Sequence, residues 1–425
     1  MLAVILGASG ASAQQRPPQA RPPQSLFGAA TSANPGGAIL GMRPETVGAV
    51  ARVSLAPNAA SSLRALSRAP QQMQIALPGG NSVTCPLRSQ SRPGGMVLMR
   101  GVPVGGDAGD RCNLVVANGQ VTGEIDVASG RYQVVPLRGA EHAVVELRTD
   151  AFPNEADAEV PSEERRQEGR APQNAPLCDV KPRPGQQPKS FGPIRIMFVY
   201  TTAAKAETAN IRAEIELIMN QTREAFSLEK TGGNFSVAVE LAHVQEVNYT
   251  EAGQGADLRR LTDPQDPIFR GIHGLRNQFR ADVVHMLIKK QPNEGCGIGW
   301  LNLSMRPQNA FSLSDRQCAL AQFSALHEIA HTLGFAHDRY VIPPEKMEPG
   351  DFNFGFVSVE QGFRTVMSYQ DQCLDAKKRC PRILQFSSPN IQYKGVTIGR
   401  PLSAPDAAYN LEQLCRTAPI ATRFR

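Results

Sequence analysis

Residues 327–338 read HEIAHTLGFAHD. Three of the chain's seven histidines fall here, at offsets 0, 4 and 10, with Glu328 beside the first and Gly334 at offset 7. The surrounding QFSALHEIAHTL carries Phe323, Leu326, Ala330 and Leu333 at helical spacing, which predicts an amphipathic helix. Residues four apart stand one turn above each other on the same face, so His327 and His331 present two imidazoles at a spacing that suits one metal ion. Gly334 can take a left-handed conformation and end the helix. The chain can then turn back and deliver His337 as a third ligand. Three neutral nitrogens leave the fourth tetrahedral position open to water, which marks a catalytic zinc, and zinc lowers the pKa of that water to about 7. Glu328 lies off the histidine axis, placed to take the water's proton and later give it to a leaving amine. A closed structural zinc site usually includes cysteine, and none lies between Cys318 and Cys373.

HExxHxxGxxH is the zinc signature of the metzincins, and RTVMSYQ at 364–370 resembles their Met-turn. The resemblance implies that Met367 lies under the three histidines as an apolar floor. Asp338 is similar to the reprolysin branch, and Tyr369 to astacins and serralysins. The nearest overall resemblance is to the bacterial peptidyl-Asp metalloendopeptidases, carried also by GCGIGWL (295–301), Cys318 and FSSPNIQYKG (386–395). It covers residues 193–425. It implies an α+β metzincin catalytic domain, with a twisted mixed sheet, long helices and a zinc cleft. It also implies one catalytic Zn²⁺ and protein or peptide substrates. Tyr369 would donate a hydrogen bond to the oxyanion, or else hold the Met-turn. A non-catalytic binding protein on the same scaffold is the competing class, and the intact Glu328 argues against it.

The same resemblance implies cleavage on the amino side of aspartate. A pocket that buries a carboxylate needs a cation, best an arginine. DAKKRCPRI after the Met-turn offers Arg382, and Arg364 stands just before the turn. An ordinary apolar pocket is the alternative.

At 425 residues the chain has room for two or three domains. Its net charge of +6 is spread out, with no basic run interleaved with aromatics, so nucleic acid is not implied. No stretch approaches 18 apolar residues, so no membrane span is expected. A monomer is expected. MLAVILGASGASA (1–13) reads as a signal peptide with a small-residue cleavage site. It lacks a positive start, as the tail of a longer leader would. Eight cysteines fit a secreted protein. Cys85–Cys112, Cys296–Cys318 and Cys373–Cys380 are plausible local pairs.

Residues 14–39, rich in Pro and Gln, read as a disordered linker. Residues 40–150 read as short strands between turns, a β-rich domain whose CNLVVANGQVTGEIDVASGRYQVVPL resembles the reprolysin-type propeptide. That implies a zymogen. Residues 151–192 read as an exposed linker and processing region, with basic points at Arg165, Arg166 and Arg170, and later at Lys181, Arg183 and Lys189. Cys178 lies in it, either as a switch thiolate occupying the open zinc position or as the disulfide partner of Cys415. From 193 to 425 strands and helices alternate. IRIMFVYT, FSVAVELAHVQEV and ADVVHMLIK read as strands, AKAETANIRAEIELIMNQTREAFSLE as one long helix, DPIFRGIHGLRNQF as another. The region GWLNLS…AFSLS is expected to supply the sheet edge before the zinc helix.

Overall fold

A computed structural model describes residues 22–32, 39, 41–57, 71–107, 109–160, 187–233, 235–289 and 293–425. The signal-peptide stretch and Cys178 lie outside them.

The N-terminal part is a ten-stranded sheet. Its strands run antiparallel in chain order from Gln71–Ala76 to Glu141–Leu147, and Val47–Ser54 pairs beside the last of these. Strands such as Arg111–Ala117 and Glu141–Leu147 are buried on both faces, and one face forms a core of its own. Leu87, Leu114, Ile125 and Val134 meet there with the Cys85–Cys112 disulfide. Asn118 and Gly119 link two strands, both with positive φ (51° and 75°), as a two-residue hairpin turn requires. The Pro/Gln-rich linker ends sooner than expected. Gln24–Ser25 already pairs with the strand Gln71–Ala76, and Leu26 and Phe27 are buried in this core.

The C-terminal part holds a five-stranded sheet in the order Phe235–Val247, Lys189–Thr201, Val283–Ile288, Phe311–Asp315, Gly297–Gly299. The first four are parallel and the last is antiparallel. The central strands are apolar runs because helices cover both faces. The edge comes from GCGIGWL, whereas AFSLS lies one strand inside it. The expected long helix is interrupted: Thr202–Ala206 stops, and Ile211–Ala225 starts afresh at Asn210, whose side chain accepts from the Ala213 amide at 3.1 Å. The helix expected around residue 270 begins at Arg270 and ends at Gln278. His285 hydrogen-bonds the hydroxyls of Ser312 (2.9 Å) and Ser314 (2.8 Å), and burial pushes its imidazole down to about 3. It is a core histidine.

The β domain packs directly on this unit. Arg131 donates to the carbonyls of Ala321 (2.8 Å) and Arg382 (2.9 Å), and its guanidinium stacks 4.2 Å from the centroid of the Phe323 ring. Phe323 has φ 58°, a costly conformation for a bulky residue. It separates the helix Arg316–Ala321 from the helix Ser324–His331 and turns the second toward the cleft.

The side-chain cap of Asn210 engages Ala213 on its own helix, not a residue of the histidine site. Asn210→Ala should lower unfolding free energy by about 1 kcal/mol in urea titration, with zinc content and peptide hydrolysis unchanged.

Candidate active site

The helix Ser324–His331 carries His327 and His331 on one face, and Gly334 (φ 84°) ends it. A Cβ on Gly334 would also meet the Gln413 amide at 2.5 Å. The reversal brings His337 back. His331 Nε2 lies 3.1 Å from His327 Nε2 and 2.9 Å from His337 Nε2. The other ring nitrogens of the helical pair have partners: His327 Nδ1 donates to the Val366 carbonyl (2.8 Å) and His331 Nδ1 to the Phe335 carbonyl (2.6 Å). With the proton fixed on Nδ1, both Nε2 atoms are acceptors and repel unless a cation lies between them. Burial pushes all three imidazoles down, His331 to about 4, so they are neutral ligands near pH 7. Zn–N bonds of 2.0–2.1 Å at tetrahedral angles put ligand nitrogens about 3.3–3.4 Å apart, close to these separations. The three histidines could hold one metal ion.

Glu328 is buried, and neither carboxylate oxygen has a protein partner. Burial, then the nearby Glu155, raises its carboxyl well above the usual carboxylate range. The edge strand presses on it. A Cβ on Gly297 would sit 2.8 Å from Glu328 Cγ, and one on Gly299 2.9 Å from its carbonyl and 3.2 Å from Oε2. Those glycines let the strand pass close to the carboxylate.

The Met-turn reaches the site through Val366, whose carbonyl orients His327. Met367 is fully buried in the same core cluster as Leu326, Ile329 and Ala330. Asp338 ties the turn to the third histidine, accepting from the Tyr369 amide at 2.9 Å. The Tyr369 ring lies 4.2 Å from the ring of His337, and its hydroxyl donates to the carbonyls of Glu155 (2.9 Å) and Ala156 (3.0 Å).

Arg382 is buried and points inward, held by Glu155 through paired contacts, Nη2 to Oε2 at 2.7 Å. Ser324 Oγ donates to the same carboxylate at 2.6 Å. Burial is the largest single influence and would raise the Glu155 carboxyl, but the charge of Arg382, the nearby His327 and the hydrogen bonds from Arg382 and Ser324 together hold it well below the usual range. Arg364, expected as a second pocket cation, has another place. Its Nε and Nη1 donate to the carbonyls of Cys380 (3.1 Å) and Ser368 (2.6 Å), so its guanidinium braces the Met-turn. The Cys373–Cys380 and Cys296–Cys318 disulfides both form beside the cleft. Cys178, expected as a switch or a disulfide cysteine, lies outside the described residues. Cys415 is disulfide-bonded, and no described cysteine is free.

Glu155 and Ser324 were not expected from sequence. Glu155 is one acid among several in NEADAEV, and only tertiary contact singles it out. The glycines of GCGIGWL were visible, but their close approach to Glu328 was not.

A histidine triad on a helix and its return loop, a buried carboxylate beside it and the sheet edge Gly297–Gly299 that flanks it define a zinc metalloendopeptidase, a hydrolase. Residues 198–403 match the metallo-peptidase family M12B, reprolysin-like, and form a domain of that family. The chain is 27% identical over 326 residues to a peptidyl-Asp metalloendopeptidase of Stenotrophomonas maltophilia (strain K279a), covering 75% of this chain and 72% of the relative. It is 26% identical over 298 residues to a peptidyl-Asp metalloendopeptidase of Xanthomonas campestris pv. campestris, covering 68% and 65%. Among the described residues no helix is long and apolar enough to cross a membrane.

His331→Ala removes the central member of the triad. Elemental analysis after dialysis should find about one zinc per wild-type chain and well under half that in the variant. Equal zinc in both would place the ion elsewhere.

Proposed function

We propose that the chain is a secreted endopeptidase made as a zymogen, that its N-terminal β domain is the prodomain, and that it cuts on the amino side of aspartate. The observation that carries the catalytic part is the unpartnered, buried Glu328 carboxylate between the converging imidazoles and the sheet edge. His327, His331 and His337 would hold the zinc, which when bound polarises the scissile carbonyl and makes water nucleophilic near pH 7. Substrate adds as a strand along Gly297–Gly299, where backbone groups fix its register. Glu328 accepts the proton of the attacking water and delivers it to the leaving amine. The Tyr369 hydroxyl donates to the oxyanion. The Tyr369 amide ties the turn, while the hydroxyl already donates to two backbone carbonyls, which supports a donor role for the phenol.

The aspartate preference rests on Arg382. A buried guanidinium left without an anion is costly, so a pocket built on it favours a carboxylate and disfavours an apolar side chain. The relatives' names point the same way. Eight cysteines and disulfides at the cleft support secretion.

Glu328→Ala should keep its zinc and lose about 10²–10⁴-fold or more in kcat/KM on casein peptides. Retained activity would sink the mechanism. A peptide library cleaved by the processed enzyme should show Asp enriched directly after the cut. Leu or Phe in its place, with no acid, would mean an apolar pocket.

A further inference from the structure

Residues 151–160, AFPNEADAEV, were expected to open an exposed linker. They lie in the cleft instead. The Cys296 amide donates to the Asn154 carbonyl (2.9 Å), Ala156 to Gly297 (2.8 Å), Glu159 to Gly299 (3.1 Å), and Leu301 to Glu159 (2.9 Å). The segment is thus an added strand on the open sheet edge, parallel to it at Glu159 and Trp300. A Cβ on Gly295 would meet the Asn154 carbonyl and the Ala156 amide at 2.7 Å, so glycine is needed for this approach. Phe152 is buried with Cys296 and Cys318, and Asn154 Nδ2 donates to Asp371 at 2.6 Å.

We propose that residues 152–159 are an internal latch, with Glu155 as a carboxylate plug in a pocket made by Arg382 and Ser324, so that the arginine that reads a substrate's acid also holds the enzyme latent. This rests on the reading of Arg382 given above. Three groups that a substrate would need are taken at once: the edge amides, the Arg382 guanidinium and the Tyr369 hydroxyl. The latch blocks the cleft without offering a bond to cut. Cleavage before an acid requires the carbonyl of the preceding residue at the catalytic centre. Here that carbonyl, Asn154, is tied to the Cys296 amide. The carbonyls at Tyr369 belong to Glu155 and Ala156, on the other side of the acid. Ser324 is a specificity-determining residue in this scheme, since its hydroxyl adds a second donor to the carboxylate. Cutting after residue 160 alone leaves the plug seated, because the segment is continuous with the β domain that Arg131 docks. Activation requires the strand itself to leave or be cut.

The test uses the full, unprocessed chain. Hydrolysis of an Asp-containing fluorogenic peptide is measured for wild type and Glu155→Gln, with hydrogen exchange of the Ala156 and Glu159 amides followed in a Glu328→Gln background to prevent self-cleavage. Glu155→Gln should raise activity at least tenfold without chain cleavage and speed exchange at both amides at least tenfold. A folded Glu155→Gln chain as silent as wild type overturns the latch. Where that variant does not fold, the synthetic peptide AFPNEADAEV is added to processed wild-type enzyme. It should inhibit at least tenfold more strongly than the same peptide with Gln for Glu155, and equal inhibition by the two overturns the proposal. The outcomes separate the two readings. Release by Glu155→Gln with Leu or Phe preferred after the cut keeps the latch and rejects the aspartate specificity. Aspartate preference in the processed enzyme with no release in the variant keeps the specificity and rejects the latch.

Discussion

Two backbone carbonyls, those of Val366 and Phe335, fix the protons of His327 and His331 on Nδ1. That constraint turns two facing Nε2 atoms into a pair of lone pairs 3.1 Å apart, which is repulsive until a cation joins them. Much of the surrounding fold serves this geometry. The Met-turn supplies the first carbonyl. The Gly334 reversal supplies the second, together with the third imidazole. Asp338 links the reversal to the turn. The site is therefore held from two directions by chain segments some 30 residues apart, rather than by the helix alone.

The sheet edge works against the same helix. Gly297 and Gly299 let the edge strand pass so close to Glu328 that an added Cβ at either would crowd it, so the strand walls in that carboxylate. A methyl group at either position would push the two apart. The closeness leaves a buried carboxylate without protein partners, and Phe323 at the head of the same helix holds a left-handed φ of 58°.

Much of the metal site could be read from HEIAHTLGFAHD because its information is local: helical spacing, a turn-forming glycine and a ligand beyond it. The strands were legible where they were apolar runs, as in IRIMFVYT and ADVVHMLIK. Three things were not. GCGIGWL does not look like a strand, since a three-residue edge rich in glycine has no alternation to detect, yet it forms the sheet edge beside Glu328. Arg364 and Arg382 have the same charge and neighbouring positions in the fold, and only packing shows that one braces backbone carbonyls and the other holds Glu155. AFPNEADAEV has the composition of a linker, and its acids and small residues gave no sign that Phe152 and Glu155 would be buried by tertiary contact. Composition describes what a segment can do when alone, not what a neighbouring groove does to it.

Zinc K-edge X-ray absorption on the full, unprocessed chain tests the account most directly. The expected spectrum has three nitrogen ligands at about 2.0–2.1 Å and a light oxygen or nitrogen scatterer, with no sulfur. A sulfur shell at about 2.3 Å would mean that a cysteine thiolate closes the site. That result would contradict both the open three-histidine centre and a latch built on Glu155.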